Sequence, residues 1–144
     1  MDQKALVIAY MDTSEGRRIL LSLPKKSAEE LGHGFPRGAV NVAEENNEQL
    51  TACRELKEET GYTGKILNIK ESWTEQHPRN AYDIKFTAFL AHIEEGATPV
   101  DEKDTKDRKN VWVKEYEVSK KVSRRQTSLT AWEKLSKRLP SHMK

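Results

Sequence analysis

Apolar residues come in short bursts along this chain, and their spacing divides it into strands and helices. Ala5 to Tyr10 and Arg18 to Leu23 are runs rich in Val, Ile and Leu, separated by turn residues at Asp12 to Gly16. They predict a β-hairpin with a loop slightly longer than the tightest kind. Ser27 to Leu31 has room for one helical turn. Asn46 to Thr60 reads as a helix: Asn46 or Asn47 can cap it, acids sit in the first turn, and Gly61 supplies the stop. Leu50, Cys53 and Leu56 fall three apart and give this helix its expected apolar stripe. Lys65 to Trp73, with Ile66, Leu67 and Ile69, predicts a strand, and Gln76 to Asn80 a turn. From Ala81 to His92, Tyr82, Ile84, Phe86, Ala88 and Leu90 alternate as in a half-buried strand.

Glu94 to Lys109 is polar and acidic and contains a proline, hence a loop, and Asn110 to Lys114 is a last short strand. Ser119 to Arg125 is a basic linker or short helix. Thr127 to Leu139 is a helix capped by Thr127 or Ser128, with Leu129, Trp132, Leu135 and Leu139 as its buried stripe and Pro140 as its end. Strands in two groups, with one central and one terminal helix, predict an α+β or α/β sandwich around a mixed sheet.

With 144 residues, one domain over residues 1–144 is expected, large enough for a single core. Charged residues make up 33% and mean hydropathy is −0.84, the mark of a very soluble surface. The single cysteine, Cys53, rules out a disulfide within the chain and fits a reducing cytosol. On the apolar stripe it reads as a small core hydrophobe. The opening MDQKALVIAY has an apolar run too short for a membrane span or a signal core, so a cytoplasmic chain with no membrane partner is expected. Net charge of +2 gives no strong field. The Lys120–Arg125 run is basic but lacks interleaved aromatics, so nucleic acid is not the expected partner.

The chemistry concentrates on the central helix. Glu55, Glu58 and Glu59 are three and four residues apart, so their carboxylates crowd one region and repel. A divalent cation removes that conflict, and hard oxygen ligands on one rigid element suit Mg²⁺ or Mn²⁺. Arg54 pairs at i,i+4 with Glu58 and can fix its angle. Upstream, Gly34, Pro36 and Gly38 deliver a tight loop to the helix start. His33 and His92 do not recur at ligand spacing, which leaves a zinc site without support, and Trp132 belongs to the packing of its helix.

The run Gly38–x5–Glu44–x9–Arg54–Glu55–Leu56–x–Glu58–Glu59–x–Gly61–Tyr62 resembles the Nudix box of Nudix hydrolases. Nine residues separate Glu44 from Arg54, two more than in the family pattern. The extra pair is expected to loop out between Ala43 and Glu48, leaving the register from Leu50 onward unchanged. The order of elements is similar to the family along almost the full length. The resemblance implies an α/β/α sandwich with a mixed β-sheet between helices, Mg²⁺ or Mn²⁺ as cofactor, and hydrolysis of a nucleoside diphosphate linked to another moiety with release of a nucleoside monophosphate. Glu55, Glu58 and Glu59 would hold the metal and Arg54 would orient them. The general base would be Glu55 or Glu58, or Glu102, since the family often places a catalytic Glu on the corresponding loop.

Arg37 would reach a phosphate. Phe35, Trp73 and Tyr82 are candidates to stack on a base, and Arg79 sits with His77 in a turn that would border the substrate. In the family a proline about sixteen residues past the box accompanies ADP-ribose hydrolysis, and Pro78 lies sixteen past Tyr62. The group acting on dinucleoside polyphosphates has a Tyr near that distance, for which Tyr82 is the nearest match, and the SQPWPFPxS motif of the NADH group is missing. ADP-ribose or a similar ADP-linked compound is therefore the favoured substrate. The alternatives are a dinucleoside polyphosphate, or a non-catalytic nucleotide- or RNA-binding protein on the same fold. Many relatives pair as dimers, and the N-terminal hairpin is a surface through which a homodimer would form.

Overall fold

The computed structural model describes residues 2–24, 32–40, 47–77, 79, 82–100 and 108–141. Its strands are β1 (Asp2–Thr13), β2 (Gly16–Pro24), β3 (Arg37–Ala39), β4 (Lys65–Gln76), β5 (Asp83–His92) and β6 (Arg108–Lys114). The helices are α1 (Glu48–Thr60), α2 (Val118–Lys121) and α3 (Gln126–Leu135), with short 3₁₀ turns at Glu115–Glu117 and Ser136–Arg138. The six strands form one sheet in the order β4-β5-β1-β2-β6, and β3 pairs with β1. Strand β1 runs parallel to β5 and antiparallel to β2 and β3, so the sheet is mixed. Among the described residues no helix is long and apolar enough to cross a membrane.

The hairpin is tighter than the sequence predicts. Thr13 pairs with Gly16 across a two-residue turn, and the Thr13 hydroxyl donates to the Gly16 carbonyl at 2.7 Å. Alternation along β1 sorts its side chains between two cores. Leu6, Ile8 and Tyr10 face α3 with Ile19, Leu21, Phe86 and Leu90, where Ala131, Trp132 and Leu135 close the layer. Ala5, Val7 and Ala9 face α1, where Leu20, Phe89 and Ala91 meet Ala52 and Leu56. Because α1 and α3 cover opposite faces, β5 is buried on both sides, not half-buried, and Tyr82 lies just outside it, 38% exposed.

Helix α1 is capped by Asn47, whose side chain accepts from the Leu50 N–H, and it stops at Gly61, whose φ of 80° is the left-handed conformation a glycine adopts without strain. It begins after Glu44, as the expected loop requires, while residues 41–46 themselves lie outside the described residues, as does the helical turn expected within 25–31. The expected stripe is corrected. Leu50 is 53% exposed and Cys53 is only half-buried; the face on the sheet is Thr51, Ala52, Leu56, Glu59 and Thr60. The small Ala52 lets the helix lie close to β1, and that approach sets the rotation. The caps expected on α3 are corrected too. Ser128 accepts from the Phe35 N–H at 3.1 Å, and Thr127 donates to Glu75 at 2.9 Å, so neither hydroxyl caps the helix.

Candidate active site

The last turns of α1 lie over a place where the sheet opens. Strand β1 pairs with β2 through Tyr10–Thr13 and with β3 through Lys4–Leu6, and Ser22 bridges to Gly34. Residues 34–39 therefore thread between β1 and the far half of β2. On the α1 side of this opening stand Ser22 of β2 and its register partner Asn110 of β6, followed by Arg108. The Asn110 amide donates to the Thr60 carbonyl at 2.7 Å and ties the end of α1 to β6. Arg108 Nη1 lies 3.3 Å from Glu59 Oε1, and the Arg37 N–H donates to Glu59 Oε2 at 3.2 Å.

Three carboxylates project from α1 at different depths. Glu59 is 5% exposed, and the side chains of Glu55 and Glu58 are 12% and 39% exposed. Arg54 Nη1 reaches Glu55 Oε1 at 3.0 Å and Glu58 Oε2 at 3.3 Å, and Arg54 Nη2 donates to the Ala39 carbonyl at 3.4 Å. This guanidinium thus holds both acids against the end of β3. Burial, and next a hydrogen bond with Glu55, push the Glu59 carboxyl up to about 8, against the opposing pull of Arg108. Gly38 makes the room: a Cβ there would sit 2.0 Å from Glu55 Oε1.

The donor set fits a hard divalent ion, being carboxylate oxygen throughout. Among the described residues no three acidic, His or Cys side chains stand at ligand distance from one point, because Arg54 draws Glu55 and Glu58 while Arg108 draws Glu59.

A second arginine arrangement was not legible in the sequence. Arg125, just before α3, donates from Nε to the Gly32 carbonyl at 3.0 Å. Burial, then the nearby charges of Arg37 and Arg108, hold its guanidinium below the ordinary arginine value, with Glu59 opposing. Three arginines and Glu59 thus share one electrostatic neighbourhood. Three buried side-chain atoms without a hydrogen-bond partner among the described residues belong to the same place: Ser22 Oγ, Asn110 Oδ1 and Arg125 Nη2. Ser22 interrupts an apolar run in the sequence, the one local sign that this strand position is not pure core.

Other expected site residues are held elsewhere. Phe35 is 4% exposed and packs on Trp132 at 6.3 Å between centroids, which leaves its ring no face for a base. Trp73 is on β4, the strand at the opposite edge from β6; it stacks on Phe86 at 5.8 Å, and its Nε1 donates to Glu75. Tyr82 stacks on His77 at 4.9 Å, and the Arg79 N–H donates to the same imidazole. Phe35 and Trp73 are taken up by packing, as their positions favour, while Tyr82 stays 38% exposed beside His77. Glu44, Pro78 and Glu102 lie outside the described residues, although the chain leaves for 101–107 from a hydrogen bond between the Val100 N–H and the Gly61 carbonyl at 2.9 Å.

The family model of the NUDIX domain matches residues 2–132. The chain belongs to the Nudix hydrolase family. No curated protein matches the sequence. Among solved structures, a C. elegans Ap4A hydrolase in a binary complex is similar with a TM-score of 0.71 at 16% identity, over 96% of this chain and 100% of that one. A Nudix hydrolase from M. smegmatis, RenU, gives a TM-score of 0.72 at 15% identity, over 94% of this chain and 84% of that one. The NUDIX domain of Shewanella oneidensis NrtR, in complex with ADP ribose, gives 0.62 at 15% identity, over 92% and 87%. At these identities the likeness is one of fold, and it agrees with the mixed sheet between helices described above. As a Nudix hydrolase this chain is a pyrophosphohydrolase, and members of its family generally use divalent metal ions.

Proposed function

We propose that this Nudix hydrolase cleaves the pyrophosphate of a nucleoside diphosphate linked to a second group, releasing a nucleoside monophosphate, with Mg²⁺ or Mn²⁺ held by Glu55, Glu58 and Glu59. The observation that carries this reading is that acids fit for a cation and arginines fit for phosphates meet around Glu59. When bound, the ion would neutralise phosphate oxygens and make a bound water more acidic. Arg37, Arg108 and Arg125 bind and orient the phosphate chain, which is most of what phosphoryl transfer asks of a protein. Arg54 sets the angle of Glu58, the most exposed of the three acids, and Glu58 takes the proton of the attacking water. ADP-ribose is the first substrate to assay. The three guanidinium groups favour a second reading, a dinucleoside polyphosphate, because they exceed the charge of two phosphates.

The test is turnover of ADP-ribose and diadenosine polyphosphates with Mg²⁺ or Mn²⁺, read as nucleoside monophosphate release. Glu58→Gln should lower kcat by about 10²- to 10⁴-fold with an unchanged unfolding midpoint. Full turnover in that variant would remove Glu58 from the mechanism, and no turnover of any nucleotide by the unmodified protein would remove the substrate assignment.

A further inference from the structure

A pocket of about 550 Å³ lies beside the active site and takes no part in the chemistry above. Gly32 and His33 form one wall; Tyr116, Lys120, Lys121 and Arg124 form much of the other. Its volume is within the range of small-molecule sites. Tyr116 is 79% exposed at the rim, with Lys114 Nζ over its ring at 5.9 Å from the centroid. Glu117, the acid in the lining, has its carboxylate engaged by the Lys114 N–H at 2.9 Å. The balance of the pocket is therefore cationic.

Arg125 joins this pocket to the active site. Its Nε holds the Gly32 carbonyl in the pocket wall at 3.0 Å, its Nη2 is buried without a hydrogen-bond partner among the described residues, and its guanidinium is in the field of Arg37 and Arg108. Burial, and then the charges of Lys121, Arg125 and Lys109, lower the proton affinity of His33. Positive charge thus continues from Arg108 and Arg37 through Arg125 to Lys121 and Lys120. A solvated basic turn needs neither a concave wall nor an exposed aromatic ring. A nucleotide needs both, together with cations for its phosphate.

We infer that this pocket is a second-nucleotide subsite: Tyr116 stacks on the distal base of a dinucleoside polyphosphate, Lys120 and Lys121 bracket its distal phosphate, and Arg125 carries the chain to the active site. The inference rests on the hydrolase reading for the direction in which the chain lies. It is tested by equilibrium binding to Glu58→Gln protein, with diadenosine tetraphosphate, ADP-ribose and a capped RNA oligonucleotide as probes. Adding Tyr116→Ala or Lys121→Ala should reduce the preference for diadenosine tetraphosphate over ADP-ribose by about tenfold, the scale of one lost stacking contact. Tyr116→Phe should restore it, and Lys137→Ala on the exposed terminal turn should leave it alone.

An unchanged preference overturns the subsite, and so does an equal loss for diadenosine tetraphosphate and ADP-ribose, which would mean only long-range charge. Capped RNA that binds more tightly than diadenosine tetraphosphate, and weakens in the same variants, overturns it in favour of an RNA site. The hydrolase reading fails separately: Tyr116-dependent binding of diadenosine tetraphosphate without turnover by the unmodified protein leaves the subsite standing and removes the hydrolysis.

Discussion

The two faces of the sheet use the same strands and differ in nearly everything else. Toward α3, β1 and β2 present Leu6, Ile8, Tyr10, Ile19 and Leu21, and the helical side answers with Val118, Val122, Trp132 and Leu135. These are large side chains packed against one another. Toward α1, β1 offers Ala5, Val7 and Ala9, and apolar packing gives way at the β6 edge to Ser22, Asn110, Arg108 and Glu59. Ser22 Oγ, Asn110 Oδ1 and Arg125 Nη2, buried without partners among the described residues, cluster at this edge. A buried polar atom without a partner costs about 1–3 kcal/mol. Such a cost persists where a ligand or water completes the bonds. One face holds the fold together, and the other gives up stability to keep a polar site open.

The sharpest way to break this contrast is to damage the packed face. Trp132→Ala, at a side chain 6% exposed and stacked on Phe35, should cost about 3–5 kcal/mol in denaturant unfolding. The kcat of the molecules still folded should stay close to that of the parent. A kcat loss as large as that of Glu58→Gln, with stability intact, would show that the faces do not divide the work this way.

The polar face answers to pH. With its carboxyl raised from 4.5 to about 8, folded Glu59 keeps a proton that the unfolded chain has already released. Metal-free protein should therefore be most stable, as far as this group is concerned, below about 4.5, and should lose stability until pH passes about 8. The loss is on the order of a few kcal/mol. Urea unfolding in chelator across that window measures it, and Glu59→Gln should flatten the slope. Stability that holds steady or rises over the same window would mean that Glu59 is already ionised in the fold. A saturating divalent cation should oppose the slope, since it binds the ionised form better at higher pH.

What the sequence disclosed followed the range of the forces involved. Asn47 and Gly61 bound α1 through contacts made within one helical turn, so the ends of that helix were readable. Its buried face was not, because Ala52 over Leu50 is decided by the distance to β1, and β1 is far away in sequence. The same holds for β5, whose second buried face exists only because α1 lies above Phe89 and Ala91. The acids of α1 were legible as a spacing on one element. Their arginine neighbours were not, since Arg108 and Arg125 reach the site through partners 49 and 93 residues distant, Glu59 and Gly32. Ser128 and Thr127 carried the sequence marks of caps, and tertiary contacts with Phe35 and Glu75 claimed them instead.

The smallest effect gives the finest test. Leu21 and Ser22 are neighbours in β2 that point to opposite faces, and both are buried. Leu21→Ala empties a packed site and should cost about 2–5 kcal/mol. Ser22→Ala removes the hydroxyl of a residue 2% exposed, without a hydrogen-bond partner among the described residues, so stability should hold or rise by up to about 1 kcal/mol. Asn110→Ala, its register partner, should fall between them, because it surrenders the 2.7 Å bond to the Thr60 carbonyl. The nucleotide KM should rise a few-fold for Ser22→Ala even as its unfolding midpoint holds. A Ser22→Ala protein destabilised as much as Asn110→Ala would mean that the hydroxyl has a structural partner of its own, and that the α1 face is as closed as the one beneath α3.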